Sequence, residues 1–235
     1  MLLVTNLTGE GVTAFRGSAD GQFDDATAEA GLLQPTFGST GFGVQWFDYD
    51  NDGWLDLFIA NGAVALAGSD RRYAQRKQLF HNQGRGQPFR ETSRVAGAAF
   101  QVPEVSRAAA FGDIDNDGAI DILVTNNNGP VRLLRNEAAK SGHWLTVKLE
   151  SAGTNRFAIG ARVAVLRRGQ EPLWRRVHTD SSYLSANDVR VHFGLGDKPD
   201  IEAVLVHWPD GSRERFERVR SDRIATLRRG SGKTV

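Results

Sequence analysis

Asp48, Asp50, Asp52 and Asp56 fall within the nine residues DYDNDGWLD, and Asp113, Asp115, Asp117 and Asp121 repeat the spacing in DIDNDGAID. Three carboxylates at alternate positions, followed at once by glycine, can be aimed inward by a tight turn. Gly53 and Gly118 supply the backbone angles that a β-carbon would obstruct. The carbonyls of Trp54 and Ala119 then become oxygen donors, and Asp56 and Asp121 close the two shells. Carboxylate and carbonyl oxygens, with no imidazole or thiolate, suit a hard cation with six or seven ligands at about 2.3–2.6 Å, which means calcium; magnesium wants a smaller octahedral shell and keeps more water. Two Ca2+ sites are expected. Asp- and Asn-rich stretches also form plain turns, but a second copy in the same context favours ligation, since four carboxylates packed together without a cation repel one another.

The elements that must position these residues can be read from the runs that succeed them. A helix–loop–helix calcium site needs a bidentate Glu at its twelfth position. That position is Ile59 in one copy and Val124 in the other, and both lie in apolar β-type runs, LFIAN and ILVTN. The loops therefore join strands. The repeat extends beyond them: QFDDATAEAGL (22–32) matches PFRETSRVAGA (88–98), LDLFIANG matches IDILVTNN, and LFHN (79–82) matches LLRN (133–136). Extra residues in the first copy, around Ala63 to Lys77, are expected to form a longer surface loop. LLVTN (2–6) aligns with ILVTN (122–126), so the chain starts partway through a repeat and reads as a fragment of a longer array. Repeats of this size are stacked units such as propeller blades. Two units and a piece of a third cannot close a ring, and open strand edges invite pairing with another copy.

After Ala138 the repeat stops, and AAKSGH reads as a short linker. WLTVKLE alternates Leu145, Val147 and Leu149 with polar residues, and ARVAVLRR, WRRVHT, VRVHFGLG, EAVLVHW and RERFERV read as further short strands. No stretch has a sustained helical period. The second unit, 143–230, is expected to be a β-sandwich or small barrel, which makes the chain all-β.

Composition narrows the function. Among 235 residues there are 26 glycines and no cysteine, which removes disulfides, thiolate zinc and thiol catalysis. No apolar run reaches the roughly 18 residues of a membrane helix, and MLLVTNLTGEG lacks the features of a signal peptide. The net charge of +1 divides into −5 for residues 1–140 (12 basic, 17 acidic) and +6 for 141–235 (17 basic, 11 acidic). The basic half interleaves its arginines with acids along strands, so nucleic-acid binding is not expected. GSGKT (230–234) lacks the strand, loop and helix of a phosphate site and reads as a fraying tail. His81, His143, His178, His192 and His207 have no metal-ligand spacing, and Ser182, His178 and Asp180 lack a nucleophile elbow. No enzyme is expected. SSYLSAND (181–188), with Tyr183, and HWPDG (207–211), with Trp208, could form a carbohydrate platform or simply pack aromatics beside turns.

FGVQWFDYDNDGWLDLFIANG and RAAAFGDIDNDGAIDILVTNNNG resemble FG-GAP/VCBS repeats, the calcium-loop blades of integrin-type propellers. TNRFAIGARVAVLRRG and SSYLSANDVRVHFGLGDKPDIEAVLVHWPDGS are similar to the ASPIC/UnbV domain, and the pairing resembles the cartilage acidic protein family and its bacterial relatives. The resemblance implies a partial β-propeller over 1–138 and a β-sandwich-like domain over 143–230. It places calcium ligands at Asp48, Asp50, Asp52, Asp56, Asp113, Asp115, Asp117 and Asp121, in a secreted, cell-surface or periplasmic protein. One departure is Phe47, which stands where the second copy has Gly112. The implied role is a non-catalytic calcium-binding interaction module with an unknown protein or glycan ligand. The alternatives are a carbohydrate-binding or biosynthetic accessory enzyme, and a structural subunit that self-associates through open blade edges.

Overall fold

The computed structural model describes residues 1–64, 73–138 and 142–235. The expected long loop after Ala63 falls mainly on 65–72, and half of the linker on 139–141, both outside the described residues.

Three small antiparallel sheets precede the linker. The first contains β1 (Leu2–Val4), β2 (Thr13–Gly17) and β3 (Phe23–Asp25). The second contains β4 (Gly41–Phe47), β5 (Asp56–Asn61), β6 (Gln78–His81) and β7 (Arg90–Glu91). The third contains β8 (Ser106–Gly112), β9 (Asp121–Asn126) and β10 (Arg132–Leu134). Successive side chains of a strand point to opposite faces, and β5 is buried at all six positions. Leu57 and Ile59 meet Val12, Ala14 and Leu32 from the first sheet's side, while Phe58 packs with Phe100, Ala109, Phe111 and Val124 on the other. The second sheet is thus covered on both faces, which is why LFIAN is continuously apolar rather than alternating.

The repeat holds at the level of register. Phe47 pairs with Asp56 and Gly112 with Asp121, and each hairpin carries a bulge at the same place, between Gly41 and Val44 and between Ser106 and Ala109. A buried ion pair links the second and third sheets: the fully buried Lys77 donates to Glu104 Oε2 at 2.6 Å, and Arg132 donates to Glu104 Oε1 at 2.7 Å. These partners outweigh the desolvation of Glu104 and hold its carboxyl below its usual range.

The second unit is a two-sheet sandwich. β11 (His143–Glu150) lies between β14 (Val191–Gly196), antiparallel, and β17 (Arg223–Arg228), parallel. The facing sheet runs β13 (Leu173–Arg176), β12 (Arg162–Leu166), β15 (Ala203–His207), β16 (Arg213–Glu217) and β18 (Lys233–Thr234). Leu145, Val147 and Leu149 face Val163, Val165, Val204 and Val206 across the core. The tail is therefore not frayed, because Lys233 and Thr234 pair with Arg215 and Glu214 of β16. None of the sheets formed by the described residues closes on itself. Leu33–Thr36 (α1) and the 3-10 turn Ala98–Gln101 are short helical elements, and no described helix is long and apolar enough to cross a membrane.

Candidate metal centre

Both acidic stretches connect neighbouring strands of one sheet. Asp48 directly follows β4 and Asp56 opens β5; Asp113 follows β8 and Asp121 opens β9. The same backbone turn shapes each loop. Asp52 and Gly53 donate their N–H groups to Asp48 Oδ1 and Oδ2 at 3.1 and 2.8 Å, and Asp117 and Gly118 donate to Asp113 Oδ1 and Oδ2 at 3.1 and 3.0 Å. Asp56 accepts from the amides of Tyr49 and Asn82, as Asp121 accepts from those of Ile114 and Asn136. Asn51 and Asn116 both sit at φ 61°, and Gly53 and Gly118 at 95° and 88°. Asparagine tolerates the left-handed region better than most residues, so the N of DND, present in both copies, has a backbone reason that composition alone hides.

The first loop brings carboxylate oxygens of Asp48, Asp50 and Asp52 within 4.8 Å of one another, and Asp50 and Asp56 gather with His81 over the same span. The second gathers Asp113, Asp115 and Asp121, with Asp117 outside that group. Trp54 and Ala119 follow the turn glycines equivalently, their N–H groups donating to Asp52 and Asp117 at 2.7 and 2.9 Å. Burial pushes the Asp48 carboxyl up to about 7, reinforced by the Asp52 and Asp50 charges, and pushes Asp56 up to about 8 against its amide partners. Desolvation also raises Asp52 and Asp113. Negative charge is thus costly here, and a divalent cation would offset it. Asp50 Oδ1 is buried without a hydrogen-bond partner, so one oxygen in the first cage is left for a ligand. The donor set fits a cation.

His81 is the residue that sequence reasoning missed. Its Nδ1 lies 3.4 Å from Asp50 Oδ2 and 3.3 Å from Asp56 Oδ1, reached from the end of β6 rather than from the loop. The signal lay in the repeat itself, where the LFHN and LLRN motifs place His81 and Arg135 immediately before matching asparagines.

Both loops touch the sandwich along one side, while Ile114 to Asp117 of the second stay exposed on the other. Gly196 donates its N–H to Asn51 O at 2.7 Å, and Arg175 Nη2 donates to Gly53 O at 3.2 Å. Arg190 donates to Asp113 O and Asn116 Oδ1 at 2.7 and 2.6 Å. The Gly118 carbonyl accepts from Asn51 Nδ2 and His192 Nε2, both at 3.0 Å, so the two loops also touch each other. Burial holds His192 neutral, its pKa lowered to about 4. Gly194 is required by this approach: a β-carbon there would collide with Asp48 Oδ2 and lie 2.5 Å from Asn51 Cα. A cleft of about 320 Å³ runs along the seam, bordered by Trp46, Asp113, Trp174, Arg175 and His192.

SSYLSAND is part of the same seam. Asn187 Oδ1 accepts from Phe111 N and Asp188 N donates to Phe111 O, both at 2.9 Å, and Ser185 Oγ donates to Ala109 O at 2.8 Å. The segment therefore ties the sandwich to the free side of β8. Tyr183 is half exposed, edge-on to Phe42 at 5.1 Å, while Trp208 is 3% exposed inside the sandwich core. Trp208 therefore cannot serve as a sugar platform. His207 packs against Trp174 in the strand layer, and His143 and His178 pair with Asp222 and Asp180 on the surface.

Comparison with known proteins finds two family matches. An FG-GAP-like repeat model matches residues 2–59 and the ASPIC and UnbV model matches residues 151–234. The second acidic loop lies between the two matched spans and is tied to the first by the internal repeat. Over 167 residues, 70% of this chain, the sequence is 27% identical to cartilage acidic protein 1 of Homo sapiens and of Mus musculus. The Xenopus tropicalis protein of the same name is 26% identical over the same length. The chain spans about a quarter of these relatives, 24–25% of their length.

Proposed function

We propose that the chain is a non-catalytic, calcium-dependent interaction module of extracellular type, in which Asp48, Asp50, Asp52 and Asp56, with the Trp54 carbonyl, and Asp113, Asp115, Asp117 and Asp121, with the Ala119 carbonyl, hold two cations. The observation that carries the reading is the pair of matched carboxylate cages at the seam between the repeat sheets and the sandwich. The cation supplies charge neutralisation. The chain's own residues do the rest: the loop amides fix the carboxylates, and Arg175, Arg190 and Gly196 grip the loop backbone from the sandwich. A cation in either cage would therefore stiffen the junction and present both units as one surface. Likeness to FG-GAP-like repeats and to cartilage acidic protein 1 supports an extracellular setting, where calcium is abundant enough for sites with Kd on the order of 10⁻⁴–10⁻³ M.

The partner would be a protein or glycan that contacts the assembled surface. A second reading, self-association, is favoured by the outer faces of the sheet stack, where Leu2, Val4, Leu123 and Leu133 are each at least 43% exposed. Light scattering that finds a defined oligomer would favour it.

The test is a thermal melt in chelator and in about 10 mM calcium. Occupancy at that concentration contributes about 1.4–2.7 kcal/mol per site, which for a chain of this size is a rise of about 3–10 °C. The rise should shrink in Asp50→Ala and in Asp115→Ala and vanish when both are changed. No response to calcium in the unaltered chain would end the reading.

A further inference from the structure

The two cages differ at a matched position that lies outside the loops. In each repeat the residue at or just past a strand end precedes a loop-capping asparagine: His81 closes β6 before Asn82, and Arg135 directly follows β10 before Asn136. The match is geometric as well as sequential. Asn82 N–H and Asn136 N–H donate to Asp56 Oδ1 and Asp121 Oδ1 at 2.7 and 2.8 Å. From that position His81 Nδ1 comes within 3.4 Å of Asp50 and 3.3 Å of Asp56. Arg135 Nη2 comes within 2.9 Å of Asp115 and 4.0 Å of Asp117, and 3.6 Å of Glu137.

Given that the loops bind metal, as the proposed function holds, we propose that they are chemically distinct sites: the first is a mixed imidazole–carboxylate site that takes Zn2+ through His81, Asp50 and Asp56, and the second is an oxygen-only calcium site weakened by Arg135. Imidazole nitrogen suits zinc, whereas an all-oxygen shell suits calcium. Ligand atoms 3.3–3.4 Å apart match the edge of a tetrahedron with bonds of about 2.0–2.1 Å, which is about 3.3 Å. A calcium shell also admits edges of that length, so the nitrogen sets the preference. His81 Nδ1 and Asp50 Oδ1 are buried without hydrogen-bond partners, which leaves both available for ligation. In the second loop the guanidinium already contributes positive charge. A unit charge some 5 Å from a divalent ion lowers its affinity about tenfold even in high dielectric. Arg135 is 53% exposed and can swing aside, so it attenuates the site without closing it.

Isothermal titration of the whole chain with ZnCl2 and, separately, CaCl2 tests this. The variants are His81→Ala, His81→Gln, Arg135→Gln, Asp50→Ala and Asp115→Ala, each checked for an unchanged circular-dichroism spectrum. Zinc should bind the unaltered chain at least about tenfold tighter than calcium at the site that Asp50→Ala removes. Both His81 variants should abolish that preference while changing calcium binding less than about threefold. Arg135→Gln should tighten calcium about tenfold at the site that Asp115→Ala removes. Zinc affinity unchanged by either His81 variant, or calcium affinity unchanged by Arg135→Gln, would overturn the inference while leaving the loops as metal sites. If neither Asp50→Ala nor Asp115→Ala removed any bound ion, the metal-loop reading would fail instead.

Discussion

Asp48 and Asp56 sit where the conflict between burial and charge is sharpest, and that conflict predicts a pH dependence. Their carboxyls, raised from 3.8 to about 7 and about 8, bind protons more tightly in the folded chain than in the unfolded one. Their contribution is full in acid and is lost as pH rises through those values. His192, lowered from 6.5 to about 4, has the opposite sign, but its effect is complete by about pH 7. In chelator, the urea midpoint should therefore fall between about pH 7 and pH 8.5, and calcium should flatten the fall. A chelated midpoint that stays level over this window contradicts the charge balance assigned to the first loop. The carboxylates were legible from their spacing because turn chemistry is local. His81 was not, because its position depends on the pairing of β5 with β6, and that pairing is set by tertiary packing.

Among the elements, the hairpins β4–β5 and β8–β9 and the two-sided burial of β5 are legible in the sequence, since period-two alternation and a continuous apolar run each have one simple packing solution. The strands β17 and β18 and the docking of residues 181–190 onto β8 are not, because RIATLR and a two-residue strand carry too little pattern and an inter-unit contact leaves no periodic trace. Gly194 lies in β14, against the first loop, and reads in isolation as an ordinary strand glycine. Gly194→Ala should cost about 1–3 kcal/mol by overpacking against Asp48 and Asn51, lowering the melting temperature by roughly 2–10 °C and weakening calcium binding together. Gly38→Ala is the control: open space surrounds its β-carbon position, and its effect should stay within about 0.5 kcal/mol. Equal effects of the two substitutions would argue against a tight seam at β14.

At the scale of the molecule, the end of the repeat after Ala138 implies two units in series, and the structure joins them through the loops that carry the charge. Residues 1–140 hold the excess of acid and 141–235 the excess of base, and the seam is where they meet, with Arg175 and Arg190 against the Asp48 and Asp113 loops. Cation binding should therefore be felt across the seam and not only within each loop. The most direct measurement is hydrogen–deuterium exchange at the amides of Phe111, Asp188 and Gly196, whose partners lie across it. Calcium should slow exchange at all three relative to chelator, and Asp50→Ala with Asp115→Ala should remove the protection. Identical exchange with and without calcium would contradict a metal-fixed junction.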